Sequence, residues 1–250
     1  MNYFKTGFLA IVCCISTTAF SQASLRFSYK KFIDGADTLN YRMLLPDADA
    51  LQKYPLLVFL HGAGERGNDN EAQLKWGIMN FATDECMSRH PALILVPQCP
   101  ANSDWSTFEK DRKLAAEPTK PMQLVIKLIH QLIMKMPVDS NRIYITGLSM
   151  GGYGTYEAIE RYPNLFAAAV PVCAAGDTSK VALIKHMPIW IFHGSEDPGV
   201  NPQYALDMFS ALMKAGAHPG LTSYPGVGHF AWLGAYTDPI LIEWLFRQHK

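Results

Sequence analysis

The chain has 250 residues, 49% hydrophobic and 18% charged, and its 22 Lys+Arg balance 22 Asp+Glu. That apolar content excludes a disordered chain, and the absence of formal net charge argues against nucleic acid as a partner. The length suits one α/β domain, and no apolar run approaches the ~18 residues that a membrane span needs.

Residues 1–21 read as an export signal. Lys5 supplies the charged start, an apolar stretch follows, and Ala19-Phe20-Ser21 gives the small–x–small cleavage pattern. Residues 22–250 are then one domain, expected in the periplasm or outside the cell. Cys86, Cys99 and Cys173 stay with it. An oxidising compartment permits either one disulfide, with Cys86 and Cys99 favoured because they flank a strand, or three buried thiols. No Cys/His cluster has zinc spacing, so neither a metal nor another cofactor is expected.

Two strands open this domain, at 26–31 and 41–45. Residues 56–60, 92–96, 143–146, 167–172 and 189–192 are short apolar runs, as in strands buried on both faces, and 221–224 is a shorter one. Helices are predicted between them at 122–136, 151–161, 202–215 and 239–248. The first of these carries apolar residues from Met122 to Met136 at helical spacing. Residues 102–121 are polar and read as a surface excursion over one end of the sheet. Strands alternating with helices predict an α/β fold with a mostly parallel central sheet and helices on both faces. Ligands in such sheets bind beyond the carboxyl ends of the strands, so those positions are read first.

After 56–60 stands His61-Gly62-Ala63-Gly64-Glu65-Arg66-Gly67. Its glycines allow a backbone N–H, that of Ala63, to point into a site, as an oxyanion hole requires. The G-K-[ST] ending of a phosphate loop is missing. Glu65 and Arg66 either pair with each other to fix the loop or touch substrate. After 143–146 stands Gly147-Leu148-Ser149-Met150-Gly151-Gly152, a G-x-S-x-G turn between strand and helix. It presents Ser149 as nucleophile and the Met150 N–H as second oxyanion donor. After 189–192 stands His193-Gly194-Ser195-Glu196-Asp197. Asp197 is favoured over Glu196 as the carboxylate that orients an imidazole, and His193 is read as structural. After 221–224 stands Gly226-Val227-Gly228-His229-Phe230-Ala231-Trp232, with His229 as general base. Trp105, Trp76 and Phe230 are candidates for binding substrate.

The order Ser149, Asp197, His229 is similar to that of the α/β-hydrolases. Over 41–248 the chain resembles that superfamily. More narrowly it resembles the secreted esterases of the "predicted peptidase" group, near the phospholipase/carboxylesterase, dienelactone-hydrolase and feruloyl-esterase families. Leu60 to Asn70, Pro97-Gln98-Cys99-Pro100 with Trp105, the Ser149 turn, Gly194 to Asp197, and Gly228-His229 with Trp232, Ala235-Tyr236, Asp238-Pro239 and Trp244-Leu245 carry the resemblance. It implies a serine esterase with a Ser–His–Asp triad and no metal. Phe230-Ala231 departs from the small polar pair that relatives commonly place after the histidine, which makes that wall more apolar. The expected substrate is a small-molecule or oligosaccharide ester, either short-chain or an acetyl or feruloyl group on plant-wall carbohydrate. The alternatives are a serine peptidase of the same fold and a non-catalytic hydrolase-fold binding protein.

Overall fold

A computed structural model describes residues 26–47, 52–108 and 113–250. The expected export signal at 1–21 lies outside the described residues. Strand β1 (Ser28–Asp34) turns through Gly35-Ala36 into β2 (Asp37–Leu44), and Gly35 takes φ +63°, the left-handed region that a tight hairpin turn uses. The remaining strands are β3 (Tyr54–Leu60), β4 (Leu93–Pro97), β5 (Val138–Leu148), β6 (Ala168–Val172), β7 (Trp190–Gly194) and β8 (Gly220–Tyr224). They form a sheet in the order β1-β2-β4-β3-β5-β6-β7-β8. β2 is antiparallel to both β1 and β4, and every other pairing is parallel. The mostly parallel sheet expected from the sequence is present.

The helices are α1 (Asp84–Arg89), α2 (Lys120–Lys135), α3 (Met150–Arg161), α4 (Val181–Ile184), α5 (Gln203–Lys214), α6 (Trp232–Ala235) and α7 (Pro239–Phe246). The continuous apolar run of β3 is explained by its two-residue repeat. Leu56, Val58 and Leu60 face one layer, with Val125 and Ile129 of α2 and Ile159 of α3. Leu57 and Phe59 face the other, with Trp232 of α6 and Leu241 of α7. Both sides of the strand are dry, so no polar alternation remains to be read.

The structure moves several expected boundaries. β5 begins at Val138 rather than 143, because Val138 pairs with Tyr54 ahead of the polar stretch Asp139–Arg142. α1 was not anticipated, although the Thr83 hydroxyl caps it by accepting from the Cys86 N–H. The described parts of 102–121 do more than cross one end of the sheet. From Trp105 the chain runs against α3, where the Glu157 carboxylate accepts from Thr107 Oγ1 at 3.1 Å and Arg161 donates to the Ala115 and Ala116 carbonyls at 2.7 and 3.0 Å.

Cys86 and Cys99 are not bonded; Cys86, Cys99 and Cys173 are all buried free thiols. The disulfide fails because the sheet separates its partners. Cys99 packs into the layer of α2 and α3, whereas Cys86 sits in α1 beside Tyr236, Pro239 and Ile242 on the opposite side. Burial pushes the two thiols up to about 11 for Cys86 and about 12 for Cys99. Among the described residues no helix is long and apolar enough to cross a membrane.

Candidate active site

Four strand ends converge above the sheet. At the end of β5 the chain reverses into α3 through Ser149, whose backbone takes φ +52° and ψ −118°. A side chain there costs strain of order 1–3 kcal/mol, and the turn persists because both flanks are locked. A Cβ on Gly151 would lie 2.0 Å from the Leu60 carbonyl oxygen, and one on Gly147 would lie 2.3 Å from the Gly151 oxygen. Strand and helix approach that closely only because these positions are glycine.

The loop after β7 brings Asp197 beneath the short turn His229–Ala231. His229 Nδ1 lies 2.7 Å from Asp197 Oδ2, and His229 Nε2 lies 2.9 Å from Ser149 Oγ. The other oxygen of Asp197 accepts from the Gly199 and Val200 amides at 2.8 and 2.9 Å. Burial alone would raise this carboxyl. The bond from His229 and those from the Val200 and Gly199 amides outweigh it and hold the group below the usual carboxylate range. Asp197 therefore stays ionised against His229, fixing Nδ1 as the protonated nitrogen and leaving Nε2 free to accept from the hydroxyl. Of the two carboxylates weighed in the sequence, the structure brings Asp197 to the imidazole. His193 is structural, as expected: it is buried, with Nε2 donating to the Val200 carbonyl at 3.0 Å.

The loop after β3 is equally constrained. Met150 is the first residue of α3 and Ala63 the first of the 3-10 turn Ala63–Glu65, so neither amide has a partner within its own helix. The Gly62 carbonyl accepts from His61 Nδ1 at 2.7 Å and from the Glu65 amide at 3.2 Å. In a trans peptide N–H and C=O point in opposite directions, so a carbonyl pinned on the loop side turns the Ala63 N–H outward. His61 is itself fixed, since its Nε2 accepts from the Cys99 amide at 2.9 Å. Burial brings this imidazole down to about 4, which keeps it neutral at ordinary pH.

The three aromatic candidates separate. Trp105 does not line the site: it is fully buried, donates from Nε1 to the His61 carbonyl at 3.1 Å and backs the loop from beneath. Its indole has no free face to offer a ligand. Phe230 is 55% exposed, with Trp76 edge-on at 6.2 Å and Trp232 at 4.8 Å. Trp232 in turn meets the His229 ring at 5.1 Å. Trp232 joins this wall because its place three residues after His229 puts both on one side of a helical turn, the one sign of it in the sequence. Nor do Glu65 and Arg66 pair with each other. Arg66 reaches Asp104, while Glu65 is buried and accepts from Trp76 Nε1 at 3.1 Å.

Cys173, His193 and Asp197 place potential metal-ligating atoms within 4.8 Å of one another. All three are engaged elsewhere: Cys173 Sγ donates to the His229 carbonyl, His193 bonds Val200, and Asp197 holds His229. Burial pushes the Cys173 thiol up to about 12, against the thiolate that a metal would require. The cluster reads as packing around the Asp197–His229 pair.

A hydroxyl bonded to an imidazole, with a buried carboxylate behind it and two helix-start amides that have no partner within their own helices, is equipped for nucleophilic attack on a carbonyl. The profile of the phospholipase/carboxylesterase family matches residues 47–235. A thermostable esterase of known structure is 42% identical, with a TM-score of 0.87 over 92% of this chain and 64% of its own. A ferulic acid esterase superposes at TM-score 0.68 and 17% identity, covering 88% of this chain and 96% of its own, a likeness of fold. A bifunctional acetylxylan esterase/xylanase from Neocallimastix patriciarum is 27% identical over 60% of this chain. The chain spans 20% of that protein's length, and with the 64% of the thermostable esterase it covers less than two thirds of either relative. Sequence profile and sheet topology agree that the chain belongs to the phospholipase/carboxylesterase family, on the α/β-hydrolase fold.

Proposed function

We propose that this protein is an exported serine esterase that hydrolyses carboxylic esters through an acyl-enzyme on Ser149. The observation that carries this reading is the hydrogen-bonded series Ser149 Oγ–His229 Nε2, His229 Nδ1–Asp197 Oδ2, at 2.9 and 2.7 Å. In the first half-reaction His229 takes the Ser149 proton as Oγ bonds to the ester carbonyl carbon. The Ala63 and Met150 amides receive the oxyanion. The C–O bond to the alcohol then breaks, and the alcohol leaves with the proton from His229. Water repeats the sequence to release the acid and free Ser149.

The site is open. Ala63, Gly64 and Phe230 are exposed, and Ser149 and His229 are partly so. Such a site can reach an ester carried on a larger molecule, and the aromatic wall beside His229 suits a sugar ring or an aryl acyl group. These features, with the export signal read at 1–21, support an acetyl or feruloyl ester on plant-wall carbohydrate. The names of the acetylxylan and ferulic acid esterases among the similar proteins point the same way.

The test is turnover of p-nitrophenyl esters, acetylated xylan and feruloylated oligosaccharide, with peptide anilides in parallel. Wild-type protein is expected to cleave esters and to be labelled by a fluorophosphonate. Ser149→Ala should lose labelling and on the order of 10⁶ in kcat. Turnover of peptides alone would make it a peptidase. Absence of labelling in the wild type would make it a binding protein on a hydrolase fold.

A further inference from the structure

Glu65 is a carboxyl with only 4% of its surface exposed, in the same 3-10 turn as Ala63. It does not meet the cation next to it in sequence, since Arg66 pairs with Asp104. Its carboxyl reaches the two sides of the site instead. Oε1 accepts from Trp76 Nε1 at 3.1 Å. The Gly62 amide faces the same carboxyl, and a Cβ on Gly62 would sit 3.1 Å from Oε2, so the carboxyl lies directly against that backbone. The Glu65 amide meanwhile donates to the Gly62 carbonyl at 3.2 Å. Gly62 is therefore clamped from both sides by one residue, and the peptide that carries the Ala63 N–H cannot rotate freely. At its other end the clamp holds Trp76, which edges Phe230 and packs at 6.4 Å against Trp232, the neighbour of His229.

We propose that Glu65 is a positioning residue that aims the Ala63 N–H at the oxyanion and, through Trp76, couples that aim to the aromatic wall beside His229. The inference rests on the esterase reading above. Glu65 itself touches no reacting atom. Its carboxylate offers an acceptor at both oxygens: Oε1 takes the indole N–H, and Oε2 lies against the Gly62 backbone. A glutamine there offers one acceptor oxygen, and its NH₂ must then oppose either the Trp76 N–H or the Gly62 N–H. The loop gives way, and the oxyanion loses part of one donor. Complete loss of such a donor costs roughly 10²–10³ in kcat, and a misaimed one costs less.

The experiment compares wild type, Glu65→Gln, Trp76→Phe and the double variant on p-nitrophenyl acetate, with kcat normalised to sites titrated by a fluorophosphonate. Glu65→Gln is expected to lose about tenfold or more in kcat with KM within about twofold, the signature of a contact realised in the transition state. Trp76→Phe removes the N–H together with the pyrrole half of the indole, keeps an aromatic ring beside Phe230, and is expected to lose a few-fold in kcat. The double variant should be no worse than Glu65→Gln, because both changes cut one chain of contacts. A merely structural Glu65 would lower Tm and titrated sites but leave kcat per site unchanged, and that result overturns the proposal. So do losses that simply multiply in the double variant. Should Glu65→Gln not fold, Trp76→Phe decides, and an unchanged kcat there overturns the coupling. A wild type that neither hydrolyses the ester nor labels fails the esterase reading as well; active wild type with unaltered variants fails only the role of Glu65.

Discussion

At Ser149 the backbone sits at φ +52° and ψ −118°, a region that glycine enters freely and residues carrying a Cβ rarely do. The strain belongs to the Cβ rather than to the hydroxyl, which separates two variants that are chemically equivalent for catalysis. Ser149→Ala and Ser149→Gly both remove the hydroxyl and its bond to His229. Only the glycine releases the left-handed penalty, on the order of 1 kcal/mol. Ser149 is also the N-cap of α3, where glycine is tolerated better than alanine, so the cap preference acts in the same direction as the release of strain. Here Ser149→Gly should be the more stable of the two in urea denaturation. Ser149→Ala matching or exceeding it would mean that the strain has relaxed into neighbouring residues. The sequence announced this residue through its glycine frame. It could not announce Trp105, whose indole looked like pocket lining until its N–H was found on the His61 carbonyl, 44 positions away.

Among the elements, the contact of α3 with β3 is the tightest constraint on the site. Gly151 lets the first turn of α3 rest on the Leu60 and His61 carbonyls, the same residues that lead into the loop carrying the Ala63 amide. Gly151→Ala would put a methyl 2.0 Å from the Leu60 oxygen, a backbone atom with no flexible end to yield. It should cost several kcal/mol, on the order of 3 or more, or displace the Ser149 turn and abolish fluorophosphonate labelling. Gly64→Ala is the control, since its Cβ would meet nothing within 4 Å, and its Tm should stay within a few degrees of wild type. Equal loss in both would remove the close-approach argument. The paired apolar strands and the amphipathic α2 were legible because their periodicities are local. What escaped was set by partners distant in sequence: Val138 joins β5 by pairing with Tyr54, α1 lies outside any long apolar stripe, and Glu65 finds Trp76 rather than Arg66. The Cys86–Cys99 expectation failed for the same reason. Flanking a strand says nothing about which side of the sheet each thiol reaches.

For the whole molecule, stability against pH is a contest between buried bases and buried acids. His61 is neutral in the fold down to about 4, whereas in the unfolded chain it takes a proton below about 6.5. Stability from this group is complete above 6.5 and is lost as pH falls toward 4, by about 3 kcal/mol. Glu160 works in the opposite direction. It is 3% exposed; one carboxylate oxygen accepts from the Asp177 amide at 2.9 Å, while the other meets no donor among the described residues. Burial therefore raises this carboxyl well above the usual range, and the folded state keeps a proton that the unfolded chain releases above about 4.5. Stability from Glu160 is complete below that pH and declines as pH rises. Between about 4.5 and 6.5 the two slopes oppose each other, so the wild type should show a shallow profile there. Glu160→Gln keeps the acceptor for the Asp177 amide and removes the titration. It should exceed the wild type in urea midpoint by a margin that widens from pH 5 to pH 7.5, and the slope that remains between 4.5 and 6.5 should rise with pH, as the His61 contribution requires. A margin of equal size at both pH values would mean that Glu160 ionises in the folded protein as readily as in the unfolded chain. Its unpartnered oxygen would then have to be reached by water or a cation, a condition its burial opposes.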